Sequence, residues 1–165
     1  MSEMLIRSYS PADVPAITAI YAHYVRETVI TFDTEVPGEA AMAEKFAHIV
    51  ELGHPLLIAE EAGKVIGYAY ASTYRPRAAY RFTAEDSIYL APDQVGKGRG
   101  GVLLTRLMEE SKRFGFRQML AVITAERANS IRLHEKHGFR MIGRYAELGY
   151  KFDRWLDIVH MQRAV

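Results

Sequence analysis

The spacing of apolar side chains along the chain changes repeatedly between the period of a strand and the period of a helix. Apolar residues that alternate with polar ones, or that form short runs between turn signals, predict strands. These are residues 4–8, 56–60, 65–74, 83–90, 118–124, 139–145 and 152–161. Apolar residues three or four apart predict helices that begin at Ser10-Pro11, cover residues 38–52, follow a turn ending at Gly101, and cover residues 128–137. The order β-α-α-β-β-β-α-β-α-β-β predicts a mixed α/β domain.

Length and composition limit the classes of protein to consider. The 165 residues fit one domain, with expected bounds 1–165, and the hydrophobic content of 49% is that of a globular protein. The net charge of +1 gives no reason to expect nucleic acid or a membrane as a partner. Cysteine is absent, which excludes disulfides, a thiol nucleophile and thiolate metal ligands, and we expect no metal. The start, Met1-Ser2-Glu3-Met4, lacks the features of a signal peptide, so we expect a cytoplasmic protein.

The most informative segment is the turn from Val95 to Gly101, which follows a short apolar strand and opens an amphipathic helix. Four of its seven residues are glycine, so a ligand can approach the backbone closely. The first N–H groups of a helix lack intrahelical partners and lie at the positive end of the helix dipole. Lys97 and Arg99 would add positive charge. The turn therefore predicts a binding site for a phosphate-bearing cofactor.

Several interpretations of this turn compete. A P-loop is excluded because Lys97 is followed by Gly98, where that motif has Ser or Thr. Gly96-x-Gly98-x-x-Gly101 matches the dinucleotide fingerprint, with Glu126 at a plausible distance downstream, but the chain beyond Glu126 is too short for several further βαβ units. An ordinary solvated basic loop is also possible. The remaining interpretation is an acyl-coenzyme A site.

Val95-x-x-Gly98-x-Gly100 resembles the pyrophosphate-binding segment of the GNAT N-acetyltransferase family, although Val95 stands where the family usually has Gln or Arg. A second segment, residues 128–139, resembles the part of the family that contacts the pantetheine arm of coenzyme A. The predicted order of elements is also that of the family, so the resemblance covers the whole chain. It implies the GNAT fold and acetyl-coenzyme A as co-substrate. The residues expected to bind it are Ile88, Tyr89, Leu90, Val95, Gly96, Lys97, Gly98, Arg99, Gly100, Gly101, Asn129, Ser130 and Lys136.

Arg75 and Arg77 would face one side of an extended backbone, which Pro76 favours. Two guanidinium groups suit a carboxylate, phosphinate or sulfone-like group, although a solvated basic loop would show the same pair. Residues 74–89 resemble the phosphinothricin acetyltransferase branch of the family, as do the loop at residues 28–33 and the segment Gly149-Tyr150-Lys151 with Trp155.

This resemblance implies acetylation of the α-amine of a small amino-acid-like acceptor such as phosphinothricin, methionine sulfoximine or methionine sulfone. Arg75 and Arg77 would hold the acidic end of the acceptor. Phe32 and Tyr80 would shape the pocket, although both are equally explained as packing residues. The residues expected to contact the acceptor are Phe32, Arg75, Arg77, Tyr80, Glu85, Asp86 and Ser87.

The acceptor amine must lose its proton before it can attack a thioester. Glu85 is the predicted general base, acting through a water molecule. Asp86 is the alternative, and strand alternation would point the two side chains to opposite faces. A backbone N–H of residues 88–90 would stabilise the oxyanion. His134 stands where the family has a Tyr proposed to protonate the leaving thiolate, and it is equally explained as a structural histidine.

With no cysteine and no visible Ser-His-Asp arrangement, we expect direct transfer between two bound substrates. Two other functions stay open at this point. One is a protein N-terminal or other amine acetyltransferase, which would need an open groove for a peptide. The other is an acyl-coenzyme A sensor without catalysis. A homodimer is expected from the resemblance alone.

Overall fold

A computed structural model describes residues 3–165 of the chain. Its helices and strands follow the predicted order, which confirms the mixed α/β architecture. The strands are β1 (Leu5–Ser8), β2 (Leu56–Glu61), β3 (Lys64–Thr73), β4 (Thr83–Leu90), β5 (Gln118–Thr124), β6 (Arg140–Lys151) and β7 (Arg154–Ala164). The helices are α1 (Val14–Glu27), α2 (Glu39–Glu51), α3 (Arg99–Phe114) and α4 (Ala128–Lys136). Within residues 3–165, none of the helices combines the length and the apolar composition that a membrane span requires.

All seven strands form one sheet in the order β1-β2-β3-β4-β5-β7-β6. Every neighbouring pair is antiparallel except β4 and β5, which are parallel and pair only from Thr83 to Glu85. Beyond Glu85, β4 stays paired with β3 up to Leu90, while β5 stays paired with β7 up to Thr124. The two central strands therefore diverge, and the sheet has a gap in its middle.

Apolar side chains cover both faces of the sheet because adjacent residues of a strand point to opposite sides. In β3, Tyr68 and Tyr70 pack with α1 and α2, whereas Ala69 and Ala71 pack with α3. The helices contribute their apolar stripes to the same two layers, for example Phe46 of α2 to one of them. Helices on both faces leave the gap between β4 and β5 as the place where a ligand can reach the sheet.

The β6–β7 hairpin differs from the prediction. Strands were expected at residues 139–145 and 152–161, but β6 continues to Lys151 and β7 runs on to Ala164. The predicted end at position 145 is wrong because a bulge, in which Glu147 has a φ of 53°, interrupts the alternation without ending the strand. The turn is formed by Phe152 and Asp153, both with positive φ, so the last strand, expected to start near Phe152, begins two residues later at Arg154.

Candidate active site

A cavity of about 660 Å³ lies at the gap between β4 and β5. This volume is within the range of small-molecule sites in proteins. Residues 85–90 of β4 and residues 122–124 of β5 form two of its walls. The wall also includes the loop residues Ile30, Thr31 and Phe32, the glycine-rich turn before α3, and residues of α4 from Asn129 to the end of the helix at Lys136, with Arg127 just before it.

The glycine-rich turn has the geometry of an anion site. Gly96 and Gly98 have φ values of 80° and 78°, a conformation that glycine adopts without strain. Gly98 is the N-cap of α3 and offers no side chain to the first-turn N–H groups, and Gly100 and Gly101 lie on the cavity wall. Free N–H groups at a helix N-terminus bind phosphate well, so the turn fits the predicted cofactor.

The positive charge at the cavity comes mainly from side chains other than those expected. Arg99 binds the carboxylate of Glu61 at 2.7 Å and also the amide oxygen of Gln94, so its charge is already compensated. Lys97 is exposed and is absent from the wall. The cationic side chains on the wall are instead Arg127, Arg132 and Lys136, of which only Lys136 was predicted.

Glu85 lies on the wall at the point where β4 leaves β5. Burial, and to a smaller degree the negative charge of Asp86, raise the pKa of its carboxyl group above the ordinary value. A carboxylate with a raised pKa is a stronger base than an exposed one. The location of Glu85 and the direction of its pKa shift agree with the predicted role as general base, which stays a prediction.

Asp86 also borders the cavity, although strand alternation was expected to separate it from Glu85. The gap is in the sheet itself, so residues from both faces reach it. The Asp86 carboxylate accepts a hydrogen bond of 2.8 Å from Nε2 of His134, and both side chains are almost fully buried. Asp86 is thus the ion-pair partner of His134, which does not favour it as the alternative base.

Both ring nitrogens of His134 are engaged. Nδ1 donates to the carbonyl of Ser130 at 2.7 Å, and Nε2 faces Asp86. Burial lowers the pKa of His134, but the hydrogen bond and charge of Asp86, with the Ser130 carbonyl, outweigh it and raise the pKa above the ordinary value. The pair joins β4 to α4 across the cavity. Donation to a thiolate would require the bond to Asp86 to break, so the predicted role as general acid stays a prediction that this geometry does not favour.

We expect the contribution of His134 to stability to depend on pH. A histidine whose pKa is raised on folding stabilises the protein fully below its unfolded value of 6.5, and this contribution is lost as the pH rises through the higher folded-state pKa. The loss of unfolding free energy in His134→Gln, measured by urea denaturation, should therefore be larger near pH 6 than near pH 9. An equal loss at both pH values would contradict the assignment of a charged pair.

The structure does not bring all predicted acceptor residues to the cavity. Phe32, Glu85, Asp86 and Ser87 are on the wall, as are the predicted cofactor residues except Lys97 and Arg99. Arg75, Arg77 and Tyr80 are exposed and are not on the wall.

The connection that carries these three residues bends through a short 3₁₀ turn at Ala78–Tyr80. Arg75 lies over the ring of Tyr74, with 5.2 Å between the guanidinium carbon and the ring centroid. The predicted clamp of Arg75 and Arg77 is therefore not formed around the cavity in this structure, and it stays a prediction.

Sequence reasoning missed several residues of the wall. They are Tyr24, Thr31, Thr124, Arg127 and Arg132. For Thr124 and Arg127 a signal existed, because ligands in sheets with parallel strands bind beyond the carboxyl ends of those strands. Thr31 and Arg132 lie within the segments 28–33 and 128–139 that the resemblance had marked, whereas Tyr24 carried no signal. Among residues 3–165 no group of three or more His, Asp or Glu side chains is placed to hold a metal ion.

Comparison with known proteins agrees with this geometry. A family model described as acetyltransferase (GNAT) domain matches residues 6–160. The phosphinothricin N-acetyltransferase of Alcaligenes faecalis is 44% identical over 159 residues, which cover 96% of this chain and 81% of that protein. The L-methionine sulfoximine/L-methionine sulfone acetyltransferase of Salmonella typhimurium is 41% identical over 160 residues, 96% of this chain and 93% of that protein.

A solved structure gives the same result for the fold. The GNAT superfamily phosphinothricin acetyltransferase from Sinorhizobium meliloti, in complex with acetyl-coenzyme A, is 45% identical and has a TM-score of 0.96. The match covers 100% of this chain and 89% of that one. These matches agree with the gap between β4 and β5 and with the glycine N-cap of α3. The chain therefore belongs to the GNAT family of acetyltransferases.

Proposed function

We propose that this protein transfers an acetyl group from acetyl-coenzyme A to the α-amine of a small amino-acid-like acceptor. Methionine sulfoximine, methionine sulfone and phosphinothricin are the candidate acceptors. The observation that carries the proposal is a single cavity whose wall includes both a glycine-rich helix N-terminus without a side-chain cap and the half-buried carboxyl group of Glu85. Relatives named for these acceptors, at 44% and 41% identity, support the acceptor class.

The wall of the cavity fits acetyl-coenzyme A. The first-turn N–H groups of α3 suit the pyrophosphate, and Arg127, Arg132 and Lys136 supply positive charge for the phosphates. Residues 86–90 of β4 are not paired with β5, so backbone groups on that side are available to the amides of the pantetheine arm. Asn129 adds a side-chain amide. When bound, acetyl-coenzyme A supplies an acetyl group activated as a thioester.

In this proposal Glu85 removes a proton from the acceptor ammonium, directly or through a water molecule, so that the neutral amine attacks. A backbone N–H of Ile88, Tyr89 or Leu90 stabilises the oxyanion that develops on the carbonyl oxygen. The C–S bond of the thioester then breaks, so that the acetyl group stays on the amine and coenzyme A leaves as the thiolate. The sequence has no cysteine, which supports direct transfer with both substrates bound. Positioning of the two substrates then supplies much of the acceleration. We assign to Asp86 and His134 the task of holding β4 and α4 at the correct separation.

The proposal is tested by measuring thiol release from acetyl-coenzyme A with a panel of acceptors: methionine sulfoximine, methionine sulfone, phosphinothricin, ordinary amino acids and a peptide mixture. We expect turnover with one or more of the first three. Turnover with peptides alone would favour a protein N-terminal acetyltransferase. Binding of acetyl-coenzyme A without turnover on any acceptor would favour a sensor.

We expect the double variant Arg75→Ala/Arg77→Ala to bind acceptors with a phosphinate or sulfone group more weakly. Loss of two charge-assisted hydrogen bonds should raise the KM for phosphinothricin or methionine sulfone by about tenfold or more, with the KM for acetyl-coenzyme A unchanged. Steady-state kinetics with both substrates varied measures the effect. An amine acceptor without an acidic group is the control, and an equal rise in its KM would contradict a clamp.

The assembly and the location of the protein stay predictions. A homodimer is implied by the resemblance and is supported by exposed apolar side chains on the edge strand β6, among them Ile142 and Leu148, and by Trp155 of β7. A single domain over residues 1–165 and a cytoplasmic location also remain expectations from the sequence.

A further inference from the structure

The loop between α1 and α2 forms part of the cavity wall through Ile30, Thr31 and Phe32. These residues have no regular secondary structure, so their position depends on bonds to other elements. Tyr21 of α1 contacts Thr31 and Asp33 through its hydroxyl group, and Thr124 of β5 donates to the carbonyl of Val29. Two further contacts come from the end of β6. They involve Gly149 and Lys151 of the segment whose resemblance to the phosphinothricin acetyltransferase branch was noted above.

Lys151 is the last residue of β6, and only 4% of its surface is exposed. Its Nζ donates a hydrogen bond of 2.8 Å to the carbonyl oxygen of Thr31. Burial lowers the pKa of the ammonium group, and the charge of Asp33 partly counteracts this. Lysine is rarely buried, because removing its charge from water costs free energy. The location of this ammonium group therefore points to a role in holding the loop.

Gly149 lies two residues earlier and on the same side of β6. A Cβ atom at this position would lie 2.3 Å from Cε2 and 2.5 Å from Cζ of Phe32. The ring of Phe32 thus occupies the space that a side chain at position 149 would need. The ring of Phe32 also borders the cavity, so a larger residue at position 149 would push this ring into the cavity.

We propose that Gly149 and Lys151 are positioning residues that set how far Phe32 reaches into the cavity, where its ring would contact the acceptor. Gly149 supplies the space for the ring of Phe32. Lys151 fixes the backbone of Thr31, the residue before Phe32. The inference rests on the proposed function, in which Phe32 contacts the acceptor. The two residues act on the acceptor through Phe32 and take no part in the chemical step.

The first test is Gly149→Ala. We expect the KM for methionine sulfone to rise about tenfold, since a change of one methyl group in a pocket has effects of this size. The KM for acetyl-coenzyme A should be unchanged. A second substitution that shortens the displaced side chain, Phe32→Leu, should lower the acceptor KM of Gly149→Ala towards the wild-type value. Such rescue would not occur if Gly149 had only a structural role.

The matched control is Gly143→Ala on the same strand, where an added Cβ meets no atom within 4 Å. It should leave both KM values unchanged. Lys151→Met, which keeps the length of the side chain and removes its charge, should also raise the acceptor KM without changing that for acetyl-coenzyme A. Lys64→Met, at an exposed lysine, is its control. Thermal melting of each variant shows whether it is folded. If Lys151→Met does not fold, the Gly149→Ala variant alone tests the proposal.

Two failures can be told apart. Wild-type protein that acetylates none of the three candidate acceptors refutes the proposed function and this inference with it. Wild-type protein that is active, with a folded Gly149→Ala variant whose acceptor KM is unchanged, refutes this inference alone. Equal rises in the KM of both substrates, or no rescue by Phe32→Leu, would also overturn it.

Discussion

Replacing Glu85 by Gln should lower kcat by about 10²- to 10⁴-fold, which is the usual contribution of a general base. Gln has the same shape and cannot accept the proton of the acceptor ammonium. The dissociation constant of acetyl-coenzyme A, measured by calorimetry, should be nearly unchanged. In the wild type, burial raises the pKa of Glu85 above its ordinary value of 4.5, so activity should be lost as the pH falls through that raised pKa. This acidic limb of the pH profile should be absent from Glu85→Gln.

Two comparisons make the Glu85 experiment specific. Asp86→Asn tests the rival base, and it should change stability and the position of α4 while keeping the acidic limb that Glu85 produces. An acceptor whose amine has a lower pKa needs less help from a base, so Glu85→Gln should impair it less. Unchanged kcat in Glu85→Gln from about pH 6 to about pH 9 would remove Glu85 from the mechanism.

Replacing Gly98 by Val should weaken acetyl-coenzyme A binding by about 10- to 100-fold, which corresponds to the loss of one or two hydrogen bonds to a charged group. Gly98 has a φ of 78°, where a residue with a Cβ is strained by about 1–2 kcal/mol and a β-branched one by more. Relief of that strain would turn the first N–H groups of α3 away from the phosphates. Isothermal calorimetry with acetyl-coenzyme A measures the change.

Gly63 offers a matched control for this variant. It lies in the β2–β3 turn with a φ of 75°, and an added Cβ meets no atom within 4 Å at either position 63 or position 98. Gly63→Val should therefore lose a similar amount of stability and keep its affinity for acetyl-coenzyme A. If Gly98→Val binds as tightly as Gly63→Val, the helix N-terminus is not the phosphate site.

The parts of the site that could be predicted are those whose signals are local in the chain. The glycine-rich turn is one, because Gly96, Gly98 and the start of α3 are adjacent in sequence and their backbone conformation follows from their composition. Glu85 is another, since it lies on a strand that leads directly to this turn. The segment at residues 128–139 is a third such part, because it gave Asn129, Ser130 and Lys136, which all lie on the cavity wall.

The parts that could not be predicted join residues far apart in the chain. Asp86 and His134 are 48 positions apart, and Lys151 and Thr31 are 120 positions apart. No periodicity or motif reports such a pair, because it forms only when separate elements pack. Arg99 is a further example: Glu61, 38 positions away, binds its guanidinium group, and a contact of Arg99 with the phosphates stays a prediction.

The sequence by itself determined the order of helices and strands and the turn that opens α3, because both depend on neighbours within a few residues. The tertiary structure alone decided where the cavity lies, since it arises from the early end of pairing between β4 and β5. It also decided which cations face that cavity and that His134 is held by Asp86. These features follow from the packing of distant elements, whose geometry is not encoded in any local stretch of the chain.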